Sequence, residues 1–263
     1  MPQPFAFITG ATGGLGRAFA FACAEESNLF LTGRSAEKLA ALREELLAAY
    51  PSRRIETFPA DLADGRSRAA LYAFAEERGM TFSRLVCVAG QDVQKAFVKY
   101  TEEKLTAQCR VDFEAAVSCM RFALSRRAQK LQIVAVSSIS GVYPMPYFAL
   151  YSASKAALTS FCSSLRVEMK GSGVTVTAVE PGGIYTRPDI CENIKGQGLW
   201  GRLSAKTPAY VVKKSLAAAR KNRRVCRPGF WNKFIAAVPR VLPLSLRMRF
   251  IARRWSRTEK DAF

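Results

Sequence analysis

The sequence predicts an α/β fold: a Rossmann-like, doubly wound parallel sheet in a single domain, followed by a helical C-terminal extension. The first observation is that short apolar segments alternate with segments of helical period along most of the chain. Such alternation is typical of strand–helix–strand units whose parallel sheet is covered on both faces. The second observation is the start of the chain, where an apolar strand, a glycine-rich turn and a helix follow one another. That order begins the nucleotide-binding folds of this class.

Apolar runs place the strands, and helical periodicity places the helices between them. Strands are predicted at residues 4–10, 28–33, 55–62, 84–90, 131–138 and 174–183, with a last short strand and turn at 223–229. Helices are predicted over 15–26, 35–50, 66–78, 101–126 and from 151 to about 170. Ser35 is the expected N-cap of the second helix. The boundary after Gly229 divides a nucleotide-binding domain, 1–229, from a basic extension, 230–263, which Pro239 and Pro243 break into two short helices.

Composition excludes several kinds of site. The 263 residues include no histidine, which rules out a Ser-His-Asp triad, a Cys-His pair and a histidine metal site. Seven cysteines without a CxxC pair favour free thiols in a reducing compartment. No apolar run is long enough to span a membrane, and the N-terminal residues lack the pattern of a signal peptide. We therefore expect a cytoplasmic protein with no metal site.

A tyrosine and a lysine lie four residues apart in the stretch YSASK, residues 151–155. On a helix Tyr151 and Lys155 share a face. An ammonium close to a phenol favours the phenolate, so we expect Lys155 to lower the pKa of Tyr151 and to make it a proton donor and acceptor. The alternative is an exposed helix that carries the pair by chance.

The glycine-rich turn TGATGGLG, residues 9–16, lies between the first strand and the first helix. Gly10, Gly14 and Gly16 permit a tight turn and a close approach of the backbone to a pyrophosphate, which the N–H groups at the helix start would bind. The alternative is a turn with a structural role only.

The motif TGxxxGxG, a serine at 138, YxxxK at 151–155 and Pro181-Gly182 occur in this order, and together they resemble the short-chain dehydrogenase/reductase superfamily from Phe5 to about Thr186. The resemblance implies that the Ser138 hydroxyl binds the substrate oxygen and that Tyr151 exchanges a proton with it. It also implies that Lys155 binds the nicotinamide ribose. Ser137 is the alternative serine, although it is expected to end the strand.

The resemblance also implies a set of cofactor contacts and an NADP(H) preference. Gly33 stands where relatives that use NAD carry an acidic residue, and Arg34 suits a 2′-phosphate. Asp61 is expected to contact adenine, with a helix N-cap as the alternative. The implied contacts are Thr9, Gly10, Thr12, Gly14, Leu15, Gly16, Arg34, Asp61, Leu62, Ala89, Gly90, Tyr151, Lys155, Pro181, Gly182, Ile184 and Thr186.

Two positions depart from the family pattern. Val88 replaces an asparagine after the fourth strand. Asp112 replaces the asparagine of the family's catalytic tetrad, whose main-chain carbonyl helps to hold a water in the proton relay. Asp112 is therefore predicted to be catalytic through its carbonyl, and the alternative is a structural residue of the long helix.

The implied activity is NADP(H)-dependent interconversion of a carbonyl and an alcohol. Aromatic residues in 141–148, with Tyr185 and Trp200, suit a hydrophobic ketone; alternatively, they only pack the lid. The rival function is a sensor that binds NADP(H) without catalysis. A homo-oligomer, a dimer, is expected as the assembly.

The last prediction concerns the C-terminal extension. The net charge is +19, and residues 213–263 hold 15 of the 40 basic residues but 2 of the 21 acidic ones. No recognised motif accompanies this charge, so no nucleic-acid partner is expected. The second tail helix is predicted to be amphipathic, with Leu244, Met248, Ile251 and Trp255 on one face and Arg249, Arg253, Arg254 and Arg257 mostly opposite. It would bind anionic membranes as an element separable from catalysis, or it would pack on the body and cover the substrate pocket.

Overall fold

A computed structural model of the chain describes residues 3–186, 188–196, 198–237 and 241–256. The strands are β1 (Phe5–Thr9), β2 (Asn28–Gly33), β3 (Ile55–Pro59), β4 (Phe82–Cys87), β5 (Arg127–Val136), β6 (Val174–Val179) and β7 (Val225–Cys226). They form one parallel sheet in the order β3-β2-β1-β4-β5-β6-β7. The strand order reverses direction between β1 and β4, which is where ligands bind in open sheets of this kind. The predicted α/β fold with a doubly wound sheet is confirmed.

The helices cover both faces of this sheet. They are α1 (Gly14–Ala24), α2 (Ala36–Ala49), α3 (Gly65–Glu77), α4 (Glu102–Cys109), α5 (Ala115–Ser125), α6 (Ala149–Glu168), α7 (Pro188–Gly196), α8 (Gly198–Ser204), α9 (Pro208–Arg220), α10 (Phe230–Ala237) and α11 (Leu244–Trp255). Ser35 caps α2, as predicted, because its Oγ accepts a hydrogen bond from the Lys38 N–H at 3.2 Å. None of the helices in the described segments is long and apolar enough to cross a bilayer.

Alternating side chains of the strands build a core on each face. Phe7 faces one core, where its ring lies 5.0 Å from that of Phe30 and 5.5 Å from that of Phe82. Ile8, the next residue, faces the other core with Leu29 and α1. Successive residues of a strand point to opposite faces, so a continuous apolar strand serves both cores.

Four strand ends and one helix differ from the sequence prediction. The predicted strands extend past the observed ends of β3 to β6, because the residues that follow leave the sheet to line a cavity. The long helix predicted over 101–126 is interrupted by a π-helical turn, Arg110–Glu114, between α4 and α5. Such turns widen a helix locally and often occur at functional sites.

Candidate active site

A cavity of about 1580 Å³ opens at the carboxyl ends of the strands. Sixteen of the predicted site residues line it: Gly10, Thr12, Gly14, Leu15, Gly16, Arg34, Asp61, Leu62, Ala89, Gly90, Ser138, Tyr151, Pro181, Gly182, Ile184 and Thr186. Thr9, Asp112 and Lys155 lie behind this lining. Nearly all of the predicted site residues thus lie at the cavity wall, although many other residues line it as well.

The glycine turn after β1 packs so closely against its neighbours that it has no room for side chains. Gly10 has a φ of +64°, and a Cβ on it would lie 2.8 Å from the Ala89 nitrogen. A Cβ on Gly16 would lie 2.1 Å from the Gly10 oxygen, and one on Gly14 would lie 2.9 Å from the Thr186 Cβ. The first N–H groups of a helix have no partner within it. Gly13, the N-cap of α1, has no side chain to cap them, so this helix end fits a pyrophosphate.

Thr9 acts one layer beneath that turn. Its Oγ1 accepts hydrogen bonds from the N–H groups of Val88 and Ala89, at 3.1 and 3.3 Å. The hydroxyl therefore holds the end of β4 against the end of β1, at the position where Val88 has replaced the family's asparagine. In the structure this residue supports the cofactor-side wall rather than facing the cavity.

The far end of the cavity is cationic beside β2. Arg34 lines the cavity there, with Gly33 and Lys38, and the side chains of Arg34 and Lys38 are both exposed. Lys38 was not predicted as a site residue, although it lies four residues after Arg34, in the first turn of α2. Asp61 lines the opposite wall and accepts a hydrogen bond from the Ala63 N–H at 3.0 Å. Asp64, not Asp61, is the N-cap of α3, so the N-cap alternative for Asp61 is wrong.

The two candidate serines at the end of β5 have different roles in the structure. Ser137 is buried; its Oγ donates a hydrogen bond to the Lys155 carbonyl at 2.8 Å and accepts one from Thr159 at 2.9 Å. It ties β5 to α6. Both serines line the cavity and both are buried, but the Ser138 Oγ only accepts a hydrogen bond, from the Ser140 N–H at 3.1 Å, and within the described part of the chain its own proton is not committed to β5 or α6. The geometry favours Ser138 as the residue available to a substrate.

Tyr151 lies on the first turn of α6 and faces the cavity. Its ring stacks on that of Phe148, with the centroids 4.6 Å apart. Burial raises the pKa of the Tyr151 phenol well above its ordinary value; the negative charges of Asp92 and Asp112 raise it further, and the Ser138 hydroxyl opposes them. The sequence predicted a lowered pKa, so the prediction is wrong in its direction.

Burial is the main cause of this shift, and the expected lowering by Lys155 does not appear because the Lys155 ammonium contacts other groups. Its Nζ lies 3.7 Å from Oδ1 of Asp112 and donates a hydrogen bond to the Val136 carbonyl at 3.3 Å. Both side chains of this pair are buried. The ammonium is 5.5 Å from the centre of the Tyr151 ring, and the nearby carboxylate offsets its charge. The chance-pair alternative is also wrong, because α6 buries Lys155.

Asp112 is held by the loop that follows β4. Its Oδ1 accepts a hydrogen bond from the Gln91 N–H at 2.7 Å, and a Cβ on Gly90 would lie 2.7 Å from the same oxygen. Burial raises the pKa of the Asp112 carboxyl, against the lowering effect of Lys155. Oδ2 is buried and finds no hydrogen-bond partner in the described part of the chain. The carboxylate itself, rather than only the main-chain carbonyl, therefore belongs to the site.

The loop after β6 forms the opposite lip of the cavity. The Pro181 carbonyl accepts a hydrogen bond from the Ile139 N–H at 2.9 Å, which fixes the loop beside Ser138. Ile184 pairs with Lys206 in an isolated bridge. Tyr185 does not line the cavity, and the Trp200 side chain falls outside the described residues.

The C-terminal extension closes the cavity, a role that sequence reasoning assigned only as an alternative. Asn232 of α10 is buried and donates hydrogen bonds to the carbonyls of Ser204 and Pro228, at 2.9 and 2.7 Å. Residues of both tail helices line the cavity: Phe234, Ile235, Leu246, Arg247, Phe250, Ile251, Arg254 and Trp255. The extension is thus part of the cavity wall, contrary to the prediction of an element separable from catalysis.

The predicted apolar face of α11 is correct only in part. Ile251 and Trp255 line the cavity, but Leu244 is 51% exposed. Arg254, placed on the opposite face, lines the cavity. Arg257 and Pro239 fall outside the described residues. In a helix of about three turns, sequence periodicity does not show which of two neighbouring faces packs inward. The face of α11 that lines the cavity is therefore known only from its contacts with the rest of the protein.

Comparisons with known proteins agree with this architecture. The family model described as short chain dehydrogenase matches residues 4–193. A sulfoacetaldehyde reductase of Chromohalobacter salexigens is 34% identical over 184 residues, which are 67% of this chain and 70% of that protein.

Solved structures share the fold. A 7beta-hydroxysteroid dehydrogenase superposes with a TM-score of 0.84 at 24% identity, covering 95% of this chain and 96% of the other. A short-chain dehydrogenase from Sphingobium yanoikuyae in complex with NADPH superposes with a TM-score of 0.73 at 23% identity, over 91% and 95%.

Proposed function

The chain belongs to the short-chain dehydrogenase family, and within that family we propose that it is an NADP(H)-dependent oxidoreductase that interconverts a hydrophobic ketone and its alcohol. One observation carries the proposal: a single cavity joins Ser138 and Tyr151 to the glycine turn and to the cationic end at Arg34. The proposed proton donor, the proposed cofactor-binding turn and the proposed phosphate-binding end thus border one cavity.

NADP(H) fits the residues that line this cavity. The uncapped start of α1 would hold the pyrophosphate, and the loop at Pro181 would face the nicotinamide. When bound, the nicotinamide supplies or accepts the hydride. The protein supplies position and proton transfer. Lys155 lies beneath Gly90 with Asp112 balancing its charge, and in this proposal it would bind the ribose hydroxyls.

Proton transfer is the task of Tyr151. In reduction, the Ser138 hydroxyl would donate a hydrogen bond to the ketone oxygen, and the Tyr151 phenol would give that oxygen its proton. The raised pKa keeps the phenol protonated at neutral pH, which is the form required for reduction. At neutral pH the protein is therefore in the protonation state that ketone reduction requires.

This pKa leads to a pH-dependent prediction. Alcohol oxidation requires the phenolate, so we expect kcat/KM for oxidation to rise with pH up to at least about pH 10. Asp112→Asn removes a negative charge facing Tyr151 and should shift that rise to lower pH. The pH profiles of both proteins check this. A wild-type plateau that begins below about pH 8 would contradict the raised pKa.

The preference for NADP(H) rests on Arg34 and Lys38. Two cations on one wall suit a 2′-phosphate, and a charge-assisted hydrogen bond contributes about 1.5–3 kcal/mol. Gly33, beside them, brings no acidic side chain that would repel the phosphate.

We expect Arg34→Ala combined with Lys38→Ala to raise KM for NADPH by about a hundredfold or more, with KM for NADH nearly unchanged. Lys130→Ala, an exposed change at the start of β5, is the matched control. Steady-state kinetics with both cofactors measure the effect. Equal losses with NADPH and NADH, or a wild type that prefers NADH, would reject the assignment.

Apolar side chains support a hydrophobic substrate. Tyr143, Met145 and Phe148 line the cavity on the side of Tyr151, and Phe234 and Ile251 line it from the tail helices.

One assay distinguishes this enzyme from the rival function, a sensor that binds NADP(H) without turnover. NADPH absorbance is followed with a panel of aliphatic and ring ketones, in parallel with NADPH binding. Turnover supports the enzyme, whereas tight binding without turnover of any ketone supports the sensor.

The rim of the cavity also supports contact with an anionic membrane. Three apolar side chains at this rim are exposed, Leu242 by 44%, Leu246 by 53% and Phe250 by 66%. Arg249 and Arg253 are also exposed, and both lie on α11. Apolar residues flanked by arginines fit an interface with anionic lipids. We place the membrane at this rim, where an apolar ketone would enter. The dimer and the cytoplasmic location stay predictions.

Arg249→Glu with Arg253→Glu should weaken binding to anionic vesicles at least about tenfold, because each basic residue near such a surface contributes about 1 kcal/mol. Neither side chain lines the cavity, so turnover of a water-soluble ketone should persist. Lys130→Glu with Lys170→Glu makes the same charge change at the amino ends of β5 and β6. Co-sedimentation with anionic and neutral vesicles compares the three proteins. Equal binding by both double variants would exclude this rim.

A further inference from the structure

An arginine of α11 is placed inside the apolar part of the cavity. Arg247 lines the cavity together with three apolar residues of the same helix, Leu246, Phe250 and Ile251. Its Nε is buried and finds no hydrogen-bond partner among the described residues. Arg247 as a whole is half-buried, but an unpartnered buried N–H is costly, so this guanidinium is suited to a ligand that supplies an acceptor.

Tyr143 fixes the position of this guanidinium. The Arg247 Cζ lies 5.1 Å from the centre of the Tyr143 ring, within the range of a cation–π contact. The Tyr143 hydroxyl donates a hydrogen bond to the Ala236 carbonyl at 2.6 Å, so α10 holds the ring. Tyr143 itself lines the cavity and follows the short 3₁₀ helix Ile139–Val142, which begins next to Ser138. The fixed cation therefore lies on the wall that starts at the reaction centre.

We propose that Arg247 is the anchor for an anionic group of the substrate, so that the preferred substrate is an amphipathic ketone: an apolar body with a carboxylate, sulfonate or phosphate away from the carbonyl. The assignment of the body as a ketone rests on the proposed function. The planar guanidinium matches such oxyanions with two parallel donors. The second arginine of this wall, Arg254, adds positive charge to the same part of the cavity.

The charge distribution of the cavity agrees with this placement. Among the residues that the structure describes, the acidic ones that line it are Asp61, at the end near Arg34, and Asp92, near Tyr151. An anionic group is therefore favoured beside Arg247, at the mouth, while the uncharged ketone lies beside Tyr151. The substrate would enter with a fixed orientation, carbonyl first.

Binding of decanoate and of decanol, measured by titration calorimetry, tests the site without any turnover. The wild type should bind decanoate at least about tenfold more tightly than decanol. Arg247→Met keeps the length of the stem over Tyr143 and should abolish that preference, whereas Arg247→Lys should retain part of it. Arg249→Met, on the exposed face, is the matched control and should bind as the wild type does. Equal affinities for the two ligands in the wild type, or an unchanged preference in Arg247→Met, would overturn the proposal.

Turnover of an oxodecanoate and of its methyl ester then separates this inference from the proposed function. The acid should have a kcat/KM at least about tenfold higher, and Arg247→Met should remove the advantage through KM while kcat stays nearly constant. If neither ketone is reduced but decanoate binding still depends on Arg247, the anionic site stands and the ketone reductase assignment fails. If both ketones are reduced with equal kcat/KM, the reductase stands and the anionic site fails.

Discussion

Tyr151→Phe should lower kcat for ketone reduction at least about a hundredfold and leave the affinity for NADPH nearly unchanged. The substitution keeps the ring that stacks on Phe148 and removes only the hydroxyl that carries the proton. Loss of a positioned general acid costs about 10²–10⁴ in rate. Steady-state kinetics and an NADPH fluorescence titration measure the two quantities.

Tyr210→Phe is the control for this experiment, because it removes a hydroxyl from a tyrosine that is 37% exposed on α9, away from the cavity. It should behave as the wild type does. A Tyr151→Phe protein with wild-type kcat would show that another group supplies the proton, and Ser138 would be the first residue to test.

Lys155→Met should be the most destabilising of the substitutions considered. It leaves Asp112 buried without the cation that lies 3.7 Å away. Removing one partner of a buried ion pair costs on the order of 3–5 kcal/mol, because an uncompensated charge remains in the interior. Turnover should also be lost, since the ribose contact is removed. Chemical denaturation gives the free energy of unfolding.

The destabilisation should depend on pH in a defined direction. Burial raises the pKa of Asp112 above its ordinary value of 3.8, and removal of Lys155 raises it further. A carboxyl with a raised pKa in the folded state contributes stability below the unfolded-state pKa and loses it as pH rises through the folded-state pKa. Lys155→Met should therefore be less destabilised near pH 4 than at pH 7.

Asp112→Asn in the Lys155→Met background provides the matched control. It removes the buried charge and keeps an oxygen that can accept the hydrogen bond from Gln91. The double variant should be more stable than Lys155→Met at neutral pH, and this advantage should shrink towards pH 4, where the Asp112 carboxyl of the single variant is protonated. A double variant that is as unstable as the single one at every pH would show that the pair is not coupled.

Local chemistry explains how much of the site the sequence could predict. The glycine turn and the Ser138 and Tyr151 positions depend on residue type and spacing, because close backbone approach and side-chain direction are set within a few residues. For the same reason the strands and the helices α1 to α6 were predicted in the correct order, with errors at their ends and at the π-helical turn, but the helices α7, α8 and α9 were not predicted. The prediction of NADP(H) came from Arg34. That Lys38 lies beside Arg34 at the cavity could be seen only from the position of the first turn of α2.

The remaining features depend on contacts between distant segments. The raised pKa of Tyr151 follows first from burial of the phenol and then from the charges of Asp92 and Asp112. Asp112 and Lys155, which are 43 positions apart, are brought together by the π-helical turn and the Gly90 loop. The placement of Arg247 over Tyr143 depends on how α11 lies against the body, which no periodicity of a twelve-residue helix determines.

The measurement that tests hydride transfer most directly is isotope transfer from the cofactor. NADPH deuterated at the nicotinamide C4 is incubated with the wild type and a hydrophobic ketone, and the alcohol is examined by mass spectrometry. We expect deuterium at the carbinol carbon from one of the two C4-deuterated forms, and none with Tyr151→Phe beyond its residual rate. An alcohol that carries no deuterium with either form, or no alcohol from any ketone despite bound NADPH, would contradict the assignment of this chain as a ketone reductase.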